Sequence, residues 1–140
     1  MHFRLSTTAD IADLARMNQE LIRDEGHRNR MTFEELTQRM ADFLTSGYEA
    51  VIFLQDASQL GYALYKREPE WVYLRQFYVK PDFRRRGLGR NALVWLCANV
   101  WSDCPRVRLE VLVGNKSGIA FWRAVGFSDY CLTMELEQDK

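Results

Sequence analysis

Two hydrophobic periods divide the chain. Ile11, Leu14, Ala15, Leu21 and Ile22 recur at the three- and four-residue spacing of a helix face, with Thr7 or Thr8 placed to cap it. A second helix is predicted after Thr32, where Thr32 and Glu35 have capping-box spacing. Phe33, Leu36, Met40, Phe43 and Leu44 share its apolar face, and Gly47 ends it. Asp24 to Arg30, between the two, is polar and predicts a loop. Strand-like runs cover His2 to Leu5 and then Ala50 to Gln55, Leu60 to Arg67 and Trp71 to Val79. The last three are joined by Asp56 to Gln59 and Glu68 to Glu70, short enough for antiparallel hairpins. Helical spacing returns from Gly87 to Trp101 through Ala92, Leu93, Leu96, Cys97, Val100 and Trp101, with Cys97 expected as a small buried residue. A strand at Val107 to Val113 follows. Next come a helix at Asn115 to Val125, capped by Asn115 and stopped by Gly126, and a last strand at Tyr130 to Glu137. No repeat or linker interrupts the series, so residues 1–140 are expected to form a single α+β domain.

Composition narrows the function more than the fold. With 47% hydrophobic and 13% aromatic residues the chain can fill a core and is not disordered. Nineteen basic residues balance nineteen acidic ones, which argues against a general nucleic-acid binder. No apolar run reaches membrane-spanning length, and Met1-His2-Phe3-Arg4 opens no signal-peptide pattern, so a soluble cytoplasmic protein is expected. Cys97, Cys104 and Cys131 lack metal-ligand spacing, and His2 and His27 are the only imidazoles. No metal site is expected, and no Ser-His-Asp or activated-cysteine arrangement is visible.

Chemistry concentrates in Arg84-Arg85-Arg86-Gly87-Leu88-Gly89-Arg90, between a predicted strand and a predicted helix. A helix start presents unpaired N–H groups and the positive end of its dipole. Glycines without a Cβ let an anion approach those N–H groups, and the arginines add charge, so the segment is suited to phosphate, above all pyrophosphate. Gly87-Leu88-Gly89-Arg90-Asn91-Ala92 formally fits the dinucleotide fingerprint G-x-G-x-x-A, with Glu110 as a ribose-binding acid. Three features speak against it: the preceding strands pair as hairpins, Lys80-Pro81-Asp82-Phe83 separates strand from glycine, and too few residues follow for a doubly wound domain. A Walker loop fails because no Gly-Lys-Ser/Thr is present.

Arg84-x-x-Gly87-x-Gly89 resembles the Q/R-x-x-G-x-G/A loop of the GNAT superfamily of N-acetyltransferases. Phe77-Tyr78-Val79-Lys80-Pro81 resembles the end of that family's fourth strand. Asn115-x-x-Gly118-Ile119-Ala120-Phe121-Trp122-Arg123-Ala124-Val125-Gly126-Phe127 resembles its second signature. The resemblance spans nearly the whole chain. It implies a mixed, mostly antiparallel sheet with a splayed parallel strand pair and flanking helices. It also implies acetyl-CoA as cofactor and direct acetyl transfer to a primary amine in a ternary complex. The pyrophosphate is then expected on Arg84, Arg85, Arg86, Gly87, Leu88, Gly89 and Arg90, and the pantetheine along Phe77, Tyr78 and Val79. Asn115, Gly118 and Trp122 are expected beside it, Asn115 serving equally as a helix cap.

The resemblance also assigns the oxyanion to a backbone N–H at a strand bulge near Val79. Trp122 stands where the family often has a tyrosine acid, and an indole cannot protonate a thiolate near neutral pH. Tyr130 and Tyr78 are alternative acids, and Tyr73 matches a position where some members carry a basic glutamate. Glu70 and Glu110 read as solvated charges, and deprotonation through water stays open. Asp24, Glu25 and His27 of the interhelix loop are candidate contacts for the acceptor, a small-molecule or peptide amine. A homodimer is an expected option, since little chain remains to close the acceptor side. A CoA-binding sensor or structural module without transferase activity is the alternative, and an arginine-mediated nucleic-acid binder the third class.

Overall fold

Five strands form one sheet in sequence order in the computed structural model, which describes residues 1–139. They are β1 (His2–Leu5), β2 (Tyr48–Gln55), β3 (Ser58–Arg67), β4 (Val72–Val79) and β5 (Val107–Arg108). The first four pair antiparallel, and β5 lies parallel to β4. Helices α1 (Ile11–Glu25), α2 (Phe33–Thr45), α3 (Leu88–Asn99) and α4 (Lys116–Ala124) flank the sheet. One core packs α1 and α2 on the sheet through Leu14, Met17, Leu21, Met40, Ile52, Leu64 and Tyr78. The other packs α3 and α4 on the opposite face through Phe53, Ala63, Leu74, Leu93, Leu96 and Trp101, with Trp122 and Phe127 against it. The α+β fold with one parallel strand pair is thus as the sequence predicted.

The capping box of α2 forms: the Glu35 N–H donates to Thr32 Oγ1 and the Thr32 N–H to the Glu35 carboxylate. A single turn of 3₁₀ helix, Thr8–Asp10, precedes α1. Its Asp10 accepts two hydrogen bonds from Arg4 of β1, at 2.8 and 2.9 Å, and one from the Thr7 N–H. The start of α1 is thereby tied to the sheet.

Several boundaries differ from expectation. Helix α1 runs on to Glu25 and closes at Gly26 (φ 68°), so Asp24 and Glu25 belong to its last turn and not to a loop. Strand β5 ends at Arg108, because the chain leaves β4 there. The strand expected at Tyr130 to Glu137 does not form; residues 128–139 carry no regular secondary structure. Tyr130, Leu132, Met134 and Leu136 are exposed there, so their two-residue period has no sheet to bury it. Cys97 is exposed, one residue off the Ala92, Leu93, Leu96 stripe that α3 buries. No helix among the described residues is long and apolar enough to cross a membrane.

Candidate active site

Strand β4 changes phase at Arg75. Leu74 pairs with Tyr65 and Gln76 with Leu64, which leaves Arg75 as one extra residue, a β-bulge. Before it, Val72 and Leu74 point into the α3–α4 core; after it, Phe77 and Val79 do, while Tyr78 turns to α1–α2. Because side chains alternate with period two, the inserted residue exchanges the faces. The bulge was expected near Val79 and lies four residues earlier.

Below the bulge β5 no longer accompanies β4. Their pairing covers Val72–Val107 and Tyr73–Arg108 only. The Lys80 N–H donates to Leu60 O of β3 at 2.8 Å, so alternation turns the backbone groups of Val79 and Phe77 toward the vacated side. Val79 O indeed accepts from Arg84 Nε at 2.7 Å. An open strand edge of this kind accepts an extended, amide-bearing ligand as an added strand.

That edge leads to the glycine turn. Gly87 adopts φ 73° as the N-cap of α3. The first intrahelical bond here is from the Asn91 N–H to Gly87 O, so the N–H groups of Leu88, Gly89 and Arg90 have no intrahelical partner. A Cβ on Gly89 would lie 3.2 Å from the Phe121 ring, and one on Gly118 would lie 2.4 Å from Asn115 Nδ2. Gly89 therefore lets α3 pack closely on α4, and Gly118 makes room for the Asn115 cap of its own helix. The arginines divide. Arg84 bridges β4 to α1, pairing with Asp24 at 2.6 Å, and Arg90 donates to Ala124 O at the end of α4. Arg85 and Arg86 are exposed and form no ion pair among the described residues. Asn115 caps α4, accepting from the Gly118 N–H at 3.1 Å. These groups fit an extended pyrophosphate-bearing cofactor: the open edge takes its amides and the helix start takes its phosphates.

On the α1–α2 side a cleft of about 270 Å³ opens against β4. Tyr73, Phe77, Trp122, Glu25 and His27, all singled out from sequence, meet there, and Asn18, Arg39, Arg75, Gln76 and Glu110 join them. His27 Nε2 lies 3.1 Å from Glu25 Oε1. Burial pushes the Glu25 carboxyl above its ordinary range, with His27 opposing. Tyr73 donates to Glu110 Oε1 at 2.8 Å. Its phenol is pushed up to about 12, by burial first and then by that bond, so it stays protonated near neutral pH. Gln76, buried, accepts from the Tyr62 hydroxyl at 2.7 Å. Trp122 packs edge-on against Phe77, Phe121 and Phe127.

Other expected residues lie elsewhere. Asp24 is bound to Arg84 outside the cleft lining, and Tyr130 is exposed with its ring against Arg108. Tyr78 donates to Glu20 of α1, and burial with that bond raises its phenol, so it acts as a strut. Asn18, Arg39, Arg75 and Gln76 of the cleft were overlooked, although three of them interrupt a predicted apolar pattern: Asn18 beside Met17, Arg39 between Leu36 and Phe43, and Gln76 between Leu74 and Tyr78.

This geometry, a splayed parallel pair ending on a glycine turn, defines a class of acyl-group transferases. The Acetyltransferase (GNAT) family model matches residues 14–127, and the chain belongs to that family. It is 29% identical over 126 residues to the thialysine N-epsilon-acetyltransferase of Bos taurus, covering 85% of this chain and 69% of that one. Among solved structures, a predicted acetyltransferase of Clostridium acetobutylicum with acetyl-CoA superposes at TM-score 0.77 (19% identity, 97% and 95% covered). An aminoglycoside N-acetyltransferase in complex with CoA also superposes at 0.77 (14% identity, 98% and 93% covered). The protein is thus an acetyltransferase of this family, and acetyl-CoA is its acetyl donor.

Proposed function

We propose that the protein moves an acetyl group from acetyl-CoA to a primary amine by direct attack, within a single catalytic domain. The observation that carries this is the open β4 edge at Phe77 and Val79, running from the polar cleft to the glycine turn. Acetyl-CoA supplies the thioester, and its thiol leaves. Two of the relatives above are named for acetylation at nitrogen, and the nitrogen acceptor is what we carry over.

The chain's own groups then divide the work. Backbone of Phe77 and Val79 holds the pantetheine amides. The Leu88, Gly89 and Arg90 N–H groups, with the charges of Arg85 and Arg86, hold the pyrophosphate. The N–H groups of Phe77 and Val79 both turn to the open edge, and that of Phe77, which lines the cleft beside the amine, stabilises charge on the reacting oxygen. Glu25 takes the ammonium proton; its burial raises its basicity toward that of a useful base, and His27 orients it. Trp122 packs beside the channel and donates no proton. Tyr73 keeps Glu110 in place as a second negative charge near the amine.

The deciding experiment is thiol release from acetyl-CoA across a panel of primary amines, with product mass as a second readout. Amine-dependent release with a gain of one acetyl group supports the reading. Tight acetyl-CoA binding without transfer to any amine would favour a CoA-binding module instead.

A homodimer is also proposed. Tyr130, Leu132, Met134 and Leu136 form an exposed row at strand period, and Leu112 and Val113 beyond β5 are exposed as well. One chain thus offers both an extended-period segment that forms no strand of its own and an unpaired sheet edge, which two copies can bring together. Sedimentation of the full chain, compared with Leu132→Glu/Met134→Glu, tests it; a monomer at micromolar concentration rejects it.

A further inference from the structure

Two arginines of the cleft stand without an ion-pair partner among the described residues. Arg39 of α2 is half-buried, its Nε is buried without a hydrogen-bond partner among the described residues, and its Nη2 donates to the neutral Asn18 Oδ1 at 3.0 Å. Arg75, the bulged residue of β4, lines the same cleft. Neither forms an ion pair among the described residues, although both line a cleft that also holds Glu25 and Glu110. Both guanidinium groups lie against the Phe43 ring, Arg39 at 5.3 Å and Arg75 at 4.7 Å from its centroid. One aromatic ring therefore contacts two like charges, close enough for the charge of Arg75 to act on Arg39. Burial, and then the charge of Arg75, makes the cation on Arg39 less favourable than in water.

The aromatic ring offsets part of this repulsion, and an anion between the two guanidinium groups would offset the rest. A guanidinium fork matches the two oxygens of a carboxylate in geometry as well as charge. Glu25 and Glu110 line the same cleft and suit an ammonium. The cleft thus offers both signs of charge to one small molecule.

We propose that the acceptor carries a carboxylate as well as its amine, and that Arg39 and Arg75 hold that carboxylate while the amine is acetylated. This rests on the transferase reading above and narrows it to amino-carboxylates, away from purely cationic amines. Arg39 and Arg75 are specificity-determining residues in this account, since the carboxylate does not react.

The test compares matched amines with the full-length protein and saturating acetyl-CoA: lysine against cadaverine, and ornithine against putrescine. The expected result is a kcat/KM at least tenfold higher for the carboxylate-bearing member. In Arg75→Gln and Arg39→Gln that ratio should fall toward one, through KM for the amino acid more than through kcat, and Arg39→Lys should restore part of it. Arg75 is exposed, so its variant remains informative if Arg39→Gln fails to fold. Equal or faster transfer to the decarboxylated amines, or an unchanged ratio in both variants, overturns the carboxylate site and leaves the transferase reading standing. If acetyl-CoA binds but no amine is acetylated, the transferase reading falls. The carboxylate site is then judged by calorimetry of lysine and cadaverine on CoA-loaded protein. Equal affinity, or none, overturns it, and a tenfold preference for lysine that Arg75→Gln removes sustains it.

Discussion

The two sides of β4 are built from different material. Toward β5 and α3 the strand offers backbone: open groups at Phe77 and Val79, then N–H groups at the start of α3. Toward α1 and α2 it offers side chains: Tyr73, Arg75 and Gln76, facing Asn18, Glu25, His27 and Arg39 from separate elements. A backbone site depends on conformation, so glycines and a strand-turn-helix order write it compactly into sequence. A side-chain site depends on positions that only the fold brings together. The first kind suits a ligand common to a family, and the second allows each member its own acceptor.

The largest effect expected is on the wall that both sides share. A Cβ on Gly61 would lie 1.9 Å from Tyr78 O, inside the β3–β4 pairing that holds the end of β4. Gly61→Ala should cost about 3 kcal/mol or more of stability in denaturant melts. A loss under about 1 kcal/mol would mean that β4 can shift without harm. Next is the acceptor side alone. Glu25→Gln should lower kcat about 100-fold, roughly 2.7 kcal/mol in barrier, with acetyl-CoA affinity unchanged. Burial raises the Glu25 carboxyl, and it must be ionised to accept a proton. The wild-type rate should therefore climb with pH to above the usual carboxylate range, and that limb should vanish in the variant. A retained limb assigns the proton to another group.

The same contrast explains what could be read beforehand. The element order and the helix caps at Thr32 and Asn115 followed from period and capping chemistry, which act locally. The glycine turn was visible for the same reason. The bulge expected near Val79 came from the resemblance, and alternation could not have moved it to Arg75: Val72, Leu74, Gln76 and Tyr78 are all buried, yet on two different faces. Tyr130 to Glu137 carries strand period without a strand, since pairing needs an edge that β5 does not extend to it. Arg39 and Arg75 join only through tertiary packing. The clue to Arg39 was a charge inside an apolar stripe, which reads equally as a snorkelling side chain.

A smaller effect separates the two sides from the cofactor end. Gly87 has φ 73°, and a Cβ there meets nothing of the protein. Gly87→Val should weaken acetyl-CoA at least tenfold by calorimetry, about 1.4 kcal/mol, through left-handed strain and crowding of the phosphate approach. Gly87→Asn tolerates that φ better and reports crowding with less strain. Acceptor KM at saturating acetyl-CoA should stay within about twofold. A change in acceptor KM with acetyl-CoA affinity intact would show that the two sides are not separable at this turn.

The smallest effect concerns the anchoring of the acceptor wall. Arg4 donates to Asp10 at 2.8 and 2.9 Å, and the Thr7 N–H donates at 2.8 Å. The Arg4 hydrogen bonds bring the Asp10 carboxyl down to about 2, against burial, which opposes them. A carboxyl whose pKa is lower folded than unfolded stabilises the fold at pH above its unfolded value near 3.8, and loses that contribution as pH falls through 2. Arg4 is 44% exposed, so solvent screens the pair and the contribution is about 1 kcal/mol. Asp10→Asn should therefore be less stable than wild type by about 1 kcal/mol at pH 7, with the gap closing between pH 4 and pH 2. Because Asp10 fixes the start of α1, which carries Asn18 and Glu25, the variant should raise acceptor KM modestly and leave acetyl-CoA affinity alone. A gap that persists at pH 2 would make the anchor one of packing, and a loss of acetyl-CoA affinity would join α1 to the cofactor side.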